Sequence, residues 1–288
     1  MSAAQPDHRQ GPQTAFVLGG GGVLGATQVG MLRALIEAGV QPDLILGTSV
    51  GALNGALLAA DPSIAAVDEL AALWGDLAAS EVFSGSMLGR ARTLLTQRTH
   101  LHPSTGLREM VETHLAVSNI EDLPVPFQCV AASIERANSH WFTSGSVTDA
   151  VLASCAVPGL LPPVEIDGEH FMDGGLVHSI PVGRAVALGA RQIYVMHVGR
   201  VEQPLQVPRW PWQVGLVAFE IARRHRFVEE MASVPAETEV HVLPSGDPET
   251  PLVSLRYRDS SRVSRRIELG YAAATEYLAR QARPQGSR

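Results

Sequence analysis

The sequence predicts an α/β fold with parallel strands at its heart. Two short apolar runs, Thr14-Ala15-Phe16-Val17-Leu18 and Leu44-Ile45-Leu46, each give way to glycine and then to a helical stretch, so the first sixty residues read strand, helix, strand, helix. Strands in that order are parallel and joined by a crossover helix. The chain has 288 residues, 45% of them hydrophobic, enough for one large α/β domain or two small ones.

Taken in order, residues 1–13 are polar and expected to be a disordered lead; they lack the apolar core of a signal peptide. After the strand at 14–18, a helix is expected over 26–38 with Val29, Leu32 and Ile36 on one face and Gly39 as its C-cap. The strand at 44–46 breaks at Gly47 and a second helix follows over 50–60. Residues 63–79 are alanine-rich and helical. The stretch 84–103, with Gly85, Gly89 and several arginines, has no strand pattern and reads either as a cover over a site or as a surface excursion.

Further on, 127–134 and 140–143 read as strands around a turn, and a helix over 148–153 leads into Pro158 and Leu160-Leu161-Pro162-Pro163. A short strand at 169–172 precedes Asp173-Gly174-Gly175, and later strands are expected at 193–198 and 239–243. The tail over 260–280 is an amphipathic helix with Val263, Ile267, Ala274 and Leu278 on one side. No internal repeat or low-complexity linker divides the chain, so a single domain is expected, with 201–288 packed on the rest.

Composition prunes the chemistry. The formal net charge of −7 argues against a nucleic-acid partner, which calls for a basic excess. The two cysteines, Cys129 and Cys155, have no metal-ligand spacing, so no metal site is expected. All 22 basic residues are arginine, which excludes a Ser-Lys dyad, a Schiff-base enzyme and a lysine-bearing P-loop. No apolar run approaches the ~20 residues of a membrane span. A cytoplasmic protein is expected, with peripheral membrane contact left open. For that contact the candidate is Trp210-Pro211-Trp212 with Val214, Leu216, Val217 and Phe219, followed by Arg223, Arg224 and Arg226. The plainer expectation there is a core helix with a solvated basic end.

Two motifs carry the chemistry. Gly47-Thr48-Ser49-Val50-Gly51 lies between a strand and a helix, the setting of a nucleophile elbow, where side chains at Gly47 or Gly51 would collide with neighbouring backbone. The alternative is that Ser49 only N-caps its helix. The second motif is the loop Gly19-Gly20-Gly21-Gly22-Val23-Leu24-Gly25. Gly20, Gly22 and Gly25 satisfy G-x-G-x-x-G, which also suggests a dinucleotide site, but that reading needs an acidic residue at the end of the next strand, and Asp43 lies at its start. If the two strands are neighbours, the loop and the elbow open at one edge, and Gly20, Gly21 and Gly22 can donate to an oxyanion formed at Ser49.

A serine needs a base. His178, His197 and His241 lie downstream without a supporting motif, and Asp173 is the best candidate, against the alternative of a turn aspartate bonded to its own backbone. An aspartate at its reference pKa of ~3.9 is a weak base beside histidine.

Across roughly residues 14–200 this set resembles the patatin-like phospholipases, a family of lipid acyl hydrolases. The resemblance rests on the glycine loop at 19–25, the elbow at 47–51, Ala153-Ser154 with Pro158 and Pro162-Pro163, and Asp173-Gly174-Gly175. It implies a three-layer α/β/α sandwich with a mostly parallel central sheet and a catalytic core at 14–200. It also implies Ser49 as nucleophile and Asp173 as base, with Gly20, Gly21 and Gly22 forming the oxyanion hole and Gly25, Gly47, Gly51, Gly174 and Gly175 supporting the turns. The substrates it implies are acyl esters of glycerolipids, with no cofactor and no metal. Many members carry arginine just before the last glycine of the loop, where this chain has Leu24. Alternatives from other classes are a non-catalytic lipid-binding or regulatory protein and a dinucleotide-binding protein; a thioesterase or peptidase is a further hydrolase option.

Overall fold

The computed structural model describes residues 11–79, 103–198, 204–246 and 260–282. The expected cover at 84–103 therefore lies, but for Pro103, outside the described residues, as does the lead up to residue 10. Residues 12 and 13, assigned to that lead, are instead tied to the sheet: Arg191 and Gln192 donate their amides to the carbonyls of Pro12 and Gln13 (3.3 and 2.8 Å).

Eight strands form one sheet among the described residues: β1 (Thr14–Leu18), β2 (Leu44–Thr48), β3 (Phe127–Ser133), β4 (Asn138–Phe142), β5 (Val164–Ile166), β6 (Glu169–Asp173), β7 (Gln192–Met196) and β8 (Glu239–Val242). Strands β3, β2, β1, β7 and β8 lie side by side in parallel, and β4, β5 and β6 add an antiparallel flank. The helices are α1 (Ala26–Glu37), α2 (Val50–Ala60), α3 (Ile64–Ala79), α4 (Thr105–His114), α5 (Val147–Ser154), α6 (Val182–Ala187), α7 (Pro211–Ala232) and α8 (Ser260–Gln281).

Strand periodicity sorts the core into two layers. Phe16, Leu18, Ile45, Tyr194 and Met196 face one way, into a large cluster with α1, α2, α3, α5 and α8. Ala15, Val17, Leu44, Leu46, Ile193 and Val195 face the other way, against α6 and Phe227 and Met231 of α7. This is the three-layer α/β/α sandwich. The tail helix belongs to it: α8 crosses α1 at two glycines, because a Cβ on Gly30 would strike the Ile267 carbonyl and one on Gly270 would lie 2.5 Å from the Thr27 carbonyl. Gly39 ends α1 in the left-handed region, at φ 76°.

The feature that positions the site is how β3 shares its edges. Strand β4 runs along residues 129–133 of β3, β2 along 127–130 and β6 along 131–133. Since β4 overlaps both of the others, β2 and β6 must share the opposite edge. They meet there end to end, Thr48 paired with Val130 and Asp173 with Ala131. The turn after β2 and the turn after β6 are thus brought to one point.

Helix α7 differs from the core helix with a solvated basic end. Arg223 and Arg224 are folded inward onto Glu220, with N···O distances of 2.8 and 2.9 Å, and Glu220 is 5% exposed. The side chains of Pro211, Trp212 and Leu216 lie outside the described set.

Candidate active site

Strand β2 must turn sharply into α2, and the glycines flanking the tip make that turn sterically possible. A Cβ on Gly47 would lie 2.5 Å from Ala52 Cα, and one on Gly51 would strike the Leu18 carbonyl. Ser49 at the tip has φ 54° and ψ −125°, a conformation that costs a non-glycine residue about 1–3 kcal/mol and that its surroundings must enforce. They do so through hydrogen bonds. The Ser49 amide donates to Ser154 Oγ (2.9 Å), which in turn donates to the Val130 carbonyl (2.7 Å). Thr48 Oγ1 donates to the His178 carbonyl (2.7 Å). The Ser49 side chain makes no capping bond to its own helix.

Its hydroxyl instead donates to Asp173 Oδ2 at 2.6 Å. The other carboxylate oxygen, Oδ1, accepts the Gly175 amide at 2.6 Å, the local turn bond that Asp-Gly sequences favour. The two readings of Asp173 therefore coexist, one oxygen to each. Gly174 is needed because a Cβ there would strike the Val130 carbonyl, and a Cβ on Gly175 would lie 2.8 Å from Asp173 Oδ1. Asp173 is 5% exposed. Burial pushes its pKa up to about 6, opposed in part by the bonds from Ser49 and Gly175. The carboxylate is thus a stronger base than an ordinary aspartate, which removes much of the handicap noted from the reference value.

The glycine loop lies against the elbow, since β1 and β2 are parallel neighbours. A Cβ on Gly20 would lie 3.3 Å from Ser49 Cβ, and one on Gly21 would strike Val198. Gly22 has φ 57° and begins a 3-10 turn, Gly22–Gly25. The expected trio of donors needs one correction: the Gly20 amide donates to the Ser179 carbonyl at 2.9 Å and is committed there. Gly21 and Gly22, at the head of the turn, are where amides lack intrahelical partners. Leu24, the departure from arginine, is buried. Gly25 meets α2 so closely that a Cβ would strike Val50.

The loop is fastened by a buried polar chain that the motifs did not announce. Gln28 Nε2 donates to the carbonyls of Gly19 (2.8 Å) and Met196 (2.9 Å), and its Oε1 accepts from Asn54 Nδ2 (2.8 Å). Asn54 Nδ2 also donates to the Gly25 carbonyl (3.1 Å), and Asn54 Oδ1 accepts from Trp74 Nε1 (3.0 Å). Both ends of the loop are therefore held through one amide pair. The available signal was a polar residue inside an apolar helix, Gln28 in α1 and Asn54 in α2.

The histidines are engaged elsewhere. His178 Nδ1 pairs with Glu230 Oε1 (2.9 Å), His241 Nδ1 with the Tyr277 hydroxyl (3.2 Å), and the His197 ring lies against Phe227. Cys155 adjoins Ser49 and Asp173, but burial, with the nearby carboxylate, pushes its thiol pKa well up, so it stays protonated. Asp43 accepts the Thr14 amide at the start of β2 (2.9 Å), at the end of the sheet away from the loop, which leaves the dinucleotide reading without its acidic residue. Among the described residues, no group of three His, Cys, Asp or Glu side chains is placed to hold a metal ion.

A strained serine on a strand-to-helix turn, set into an α/β sandwich, is a framework of the kind serine hydrolases use. Comparison with known proteins narrows the class. The profile of the patatin-like phospholipase family matches residues 16–186, and the chain belongs to that family. Patatin-like phospholipase domain-containing protein 7 of Mus musculus is 35% identical over 66% of this chain and 14% of its own length. Lysophospholipase nte1 of Aspergillus terreus is 33% identical over 67% of this chain and 12% of its own length. The chain thus spans only about an eighth of these curated relatives. Among solved structures, VipD from Legionella pneumophila superposes with a TM-score of 0.47 at 14% identity, over 93% of this chain and 67% of that one.

Proposed function

We propose that this protein is a serine acyl hydrolase that cleaves fatty acyl esters of glycerolipids, a reaction of the phospholipase A or lysophospholipase type serving lipid breakdown. The observation that carries the reading is the 2.6 Å bond from Ser49 Oγ to a buried carboxylate with a raised pKa. The family profile and the names of the phospholipase and lysophospholipase relatives support the choice of a lipid ester.

In this mechanism Ser49 Oγ attacks the ester carbonyl while Asp173 Oδ2 takes its proton. The carbonyl oxygen becomes an oxyanion, received by the amides of Gly21 and Gly22; Gly20 serves by leaving room beside Ser49. Each good oxyanion donor contributes about 2.7–4 kcal/mol to lowering the barrier. Collapse expels the alcohol, which recovers the proton from Asp173, and leaves an acyl group on Ser49. Asp173 then deprotonates a water that attacks the acyl carbonyl, and the fatty acid leaves as Ser49 Oγ recovers that proton from Asp173. Every step uses groups of this chain, with no cofactor or metal.

The test is labelling with a fluorophosphonate, followed by turnover on acyl esters of varied chain length and headgroup. The native protein should be labelled at Ser49 and hydrolyse a glycerolipid ester. Ser49→Ala should lose both labelling and turnover while keeping its fold. A native protein that stays unlabelled and inactive against the whole panel overturns the reading and leaves a lipid-binding or regulatory protein in its place.

A further inference from the structure

Helix α7 packs Phe227 and Met231 on the sheet, yet it also buries charge there and exposes apolar side chains elsewhere. The side it turns to the protein carries Glu220, Arg223 and Glu230, with side chains 7%, 7% and 13% exposed. Its outward side carries Val214, Ile221 and Val228, at 53%, 55% and 60% exposed, and Trp210, 62% exposed, caps the helix on that same side. Positions 210, 214, 221 and 228 follow helical spacing and form one stripe. A water-facing helix ordinarily turns polar side chains outward, and an exposed apolar patch of a few hundred Å2 is often a functional one.

We infer that this stripe rests on a lipid surface, with the active site beside the same helix. Three observations select that occupant. First, the inward carboxylates have their partners within the protein, Glu220 the guanidinium groups of Arg223 and Arg224, and Glu230 the His178 ring and the Gly183 amide. On the outward side His225 and Glu229 pair with each other at 3.4 Å. Little charge has to leave water when the stripe is covered.

Second, the stripe is too small for a stable pairing with a second copy. From residue 210 to 228 it runs about 27 Å, and at about 10 Å wide it covers roughly 300 Å2. Two copies face to face would bury about 600 Å2, against the roughly 1,200–2,000 Å2 of a specific interface. A bilayer surface needs no matching shape and takes an amphipathic helix lying flat, with tryptophan at the polar boundary. No helix among the described residues is long and apolar enough to cross a membrane, so the contact is one of lying on the surface.

Third, the same helix touches the site. A Cβ on Gly175 would lie 3.2 Å from the Phe219 ring, which places α7 beside the turn that carries Asp173. The stripe lies on another side of α7 from Phe219, so the lipid surface and the turn that carries Asp173 flank the same helix. The inference rests on the proposed lipid substrate, but its test does not require catalysis.

The test is flotation of the full chain carrying Ser49→Ala with phosphatidylcholine vesicles. We expect it to float, and Val214→Asp combined with Ile221→Asp to reduce the bound fraction about tenfold or more, since each change removes a side chain whose burial is strongly favourable. In the protein that keeps Ser49, the double change should leave hydrolysis of a water-soluble short-chain ester unaltered and lower hydrolysis of the vesicle lipid. Failure of Ser49→Ala to float, or equal flotation of the double variant, overturns the inference. So does a solution dimer that the double change dissociates, which would make the stripe a subunit contact. Flotation without fluorophosphonate labelling would refute the acyl-transfer reading and leave the docking surface standing.

Discussion

Replacing Asp173 by asparagine should abolish turnover and stabilise the fold, and the gain should depend on pH. The carboxyl has a pKa raised from 3.8 to about 6 by burial. At 1.36 kcal/mol per unit this amounts to about 3 kcal/mol. The sign follows from which state holds the proton. Below pH 3.8 the carboxyl is protonated in both the folded and unfolded chain, and the raised pKa costs nothing. Between 3.8 and about 6 only the unfolded chain ionises, so stability falls as the pH rises. Above about 6 the folded protein holds a buried charge and bears the full cost. Asparagine carries no charge at any of these pH values. Its carbonyl can still accept the Gly175 amide, and its amide can donate to Ser49 Oγ. The variant should therefore match the native protein at pH 4 and exceed it by up to about 3 kcal/mol at pH 8. Urea unfolding at pH 4, 6 and 8 measures this directly. A variant no more stable than the native protein at pH 8, or one with the same gain at pH 4 and 8, would refute the argument that burial holds this carboxyl at strained expense.

If Asp173 is the base of the proposed reaction, kcat/KM for a soluble ester should fall about tenfold per unit below pH 6 as the carboxyl takes up its proton, and a flat profile from pH 7 to 5 would count against Asp173 as base. Ser154→Ala removes the acceptor of the Ser49 amide and the donor to the Val130 carbonyl, which should cost about 1–3 kcal/mol in urea unfolding and lower kcat more than it raises KM, because the elbow loses its brace. His178→Gln should leave kcat/KM for a soluble ester within a few-fold of native; a loss of about a hundredfold, the scale of a general base, would return histidine to the mechanism. Trp74→Phe leaves Asn54 Oδ1 without its indole donor, and should lower stability by about 1–3 kcal/mol and reduce kcat through a loosened glycine loop, both read from the same two measurements.

What could be read from the sequence was whatever a few neighbouring residues decide among themselves. The turn at Ser49 is one such case, because Gly47 and Gly51 relieve clashes with Ala52 and Leu18 that any strand-to-helix reversal this tight would create. The helices α1 and α2 are another, since each starts directly after a glycine-marked turn at the end of a strand, although both are buried almost all round rather than on one face. The partnership of Ser49 with Asp173 has a different origin. It depends on β2 and β6 dividing one edge of β3, and the register that achieves this is fixed by antiparallel pairing across some forty residues, from Ala131 to Asp173. Local pattern does not determine that pairing: elimination made Asp173 a candidate base with the turn reading still open, and the resemblance favoured the pair. The small elements α4, α6 and β5 escaped notice for a related reason, being short and shaped by what they pack against. Helix α7 makes the physical point most sharply. Its periodicity announces two faces, yet nothing in the helix's own sequence says which face turns inward. Glu220 supplies the answer only in the folded protein: by gathering Arg223 and Arg224 at 2.8 and 2.9 Å it makes a charged group fit to bury beside Phe227 and Met231, and Val214, Ile221 and Val228 are left outside. A hydrophobic stripe is thus evidence of a preferred contact, while the direction of that contact is decided by the charges on the opposite side of the helix.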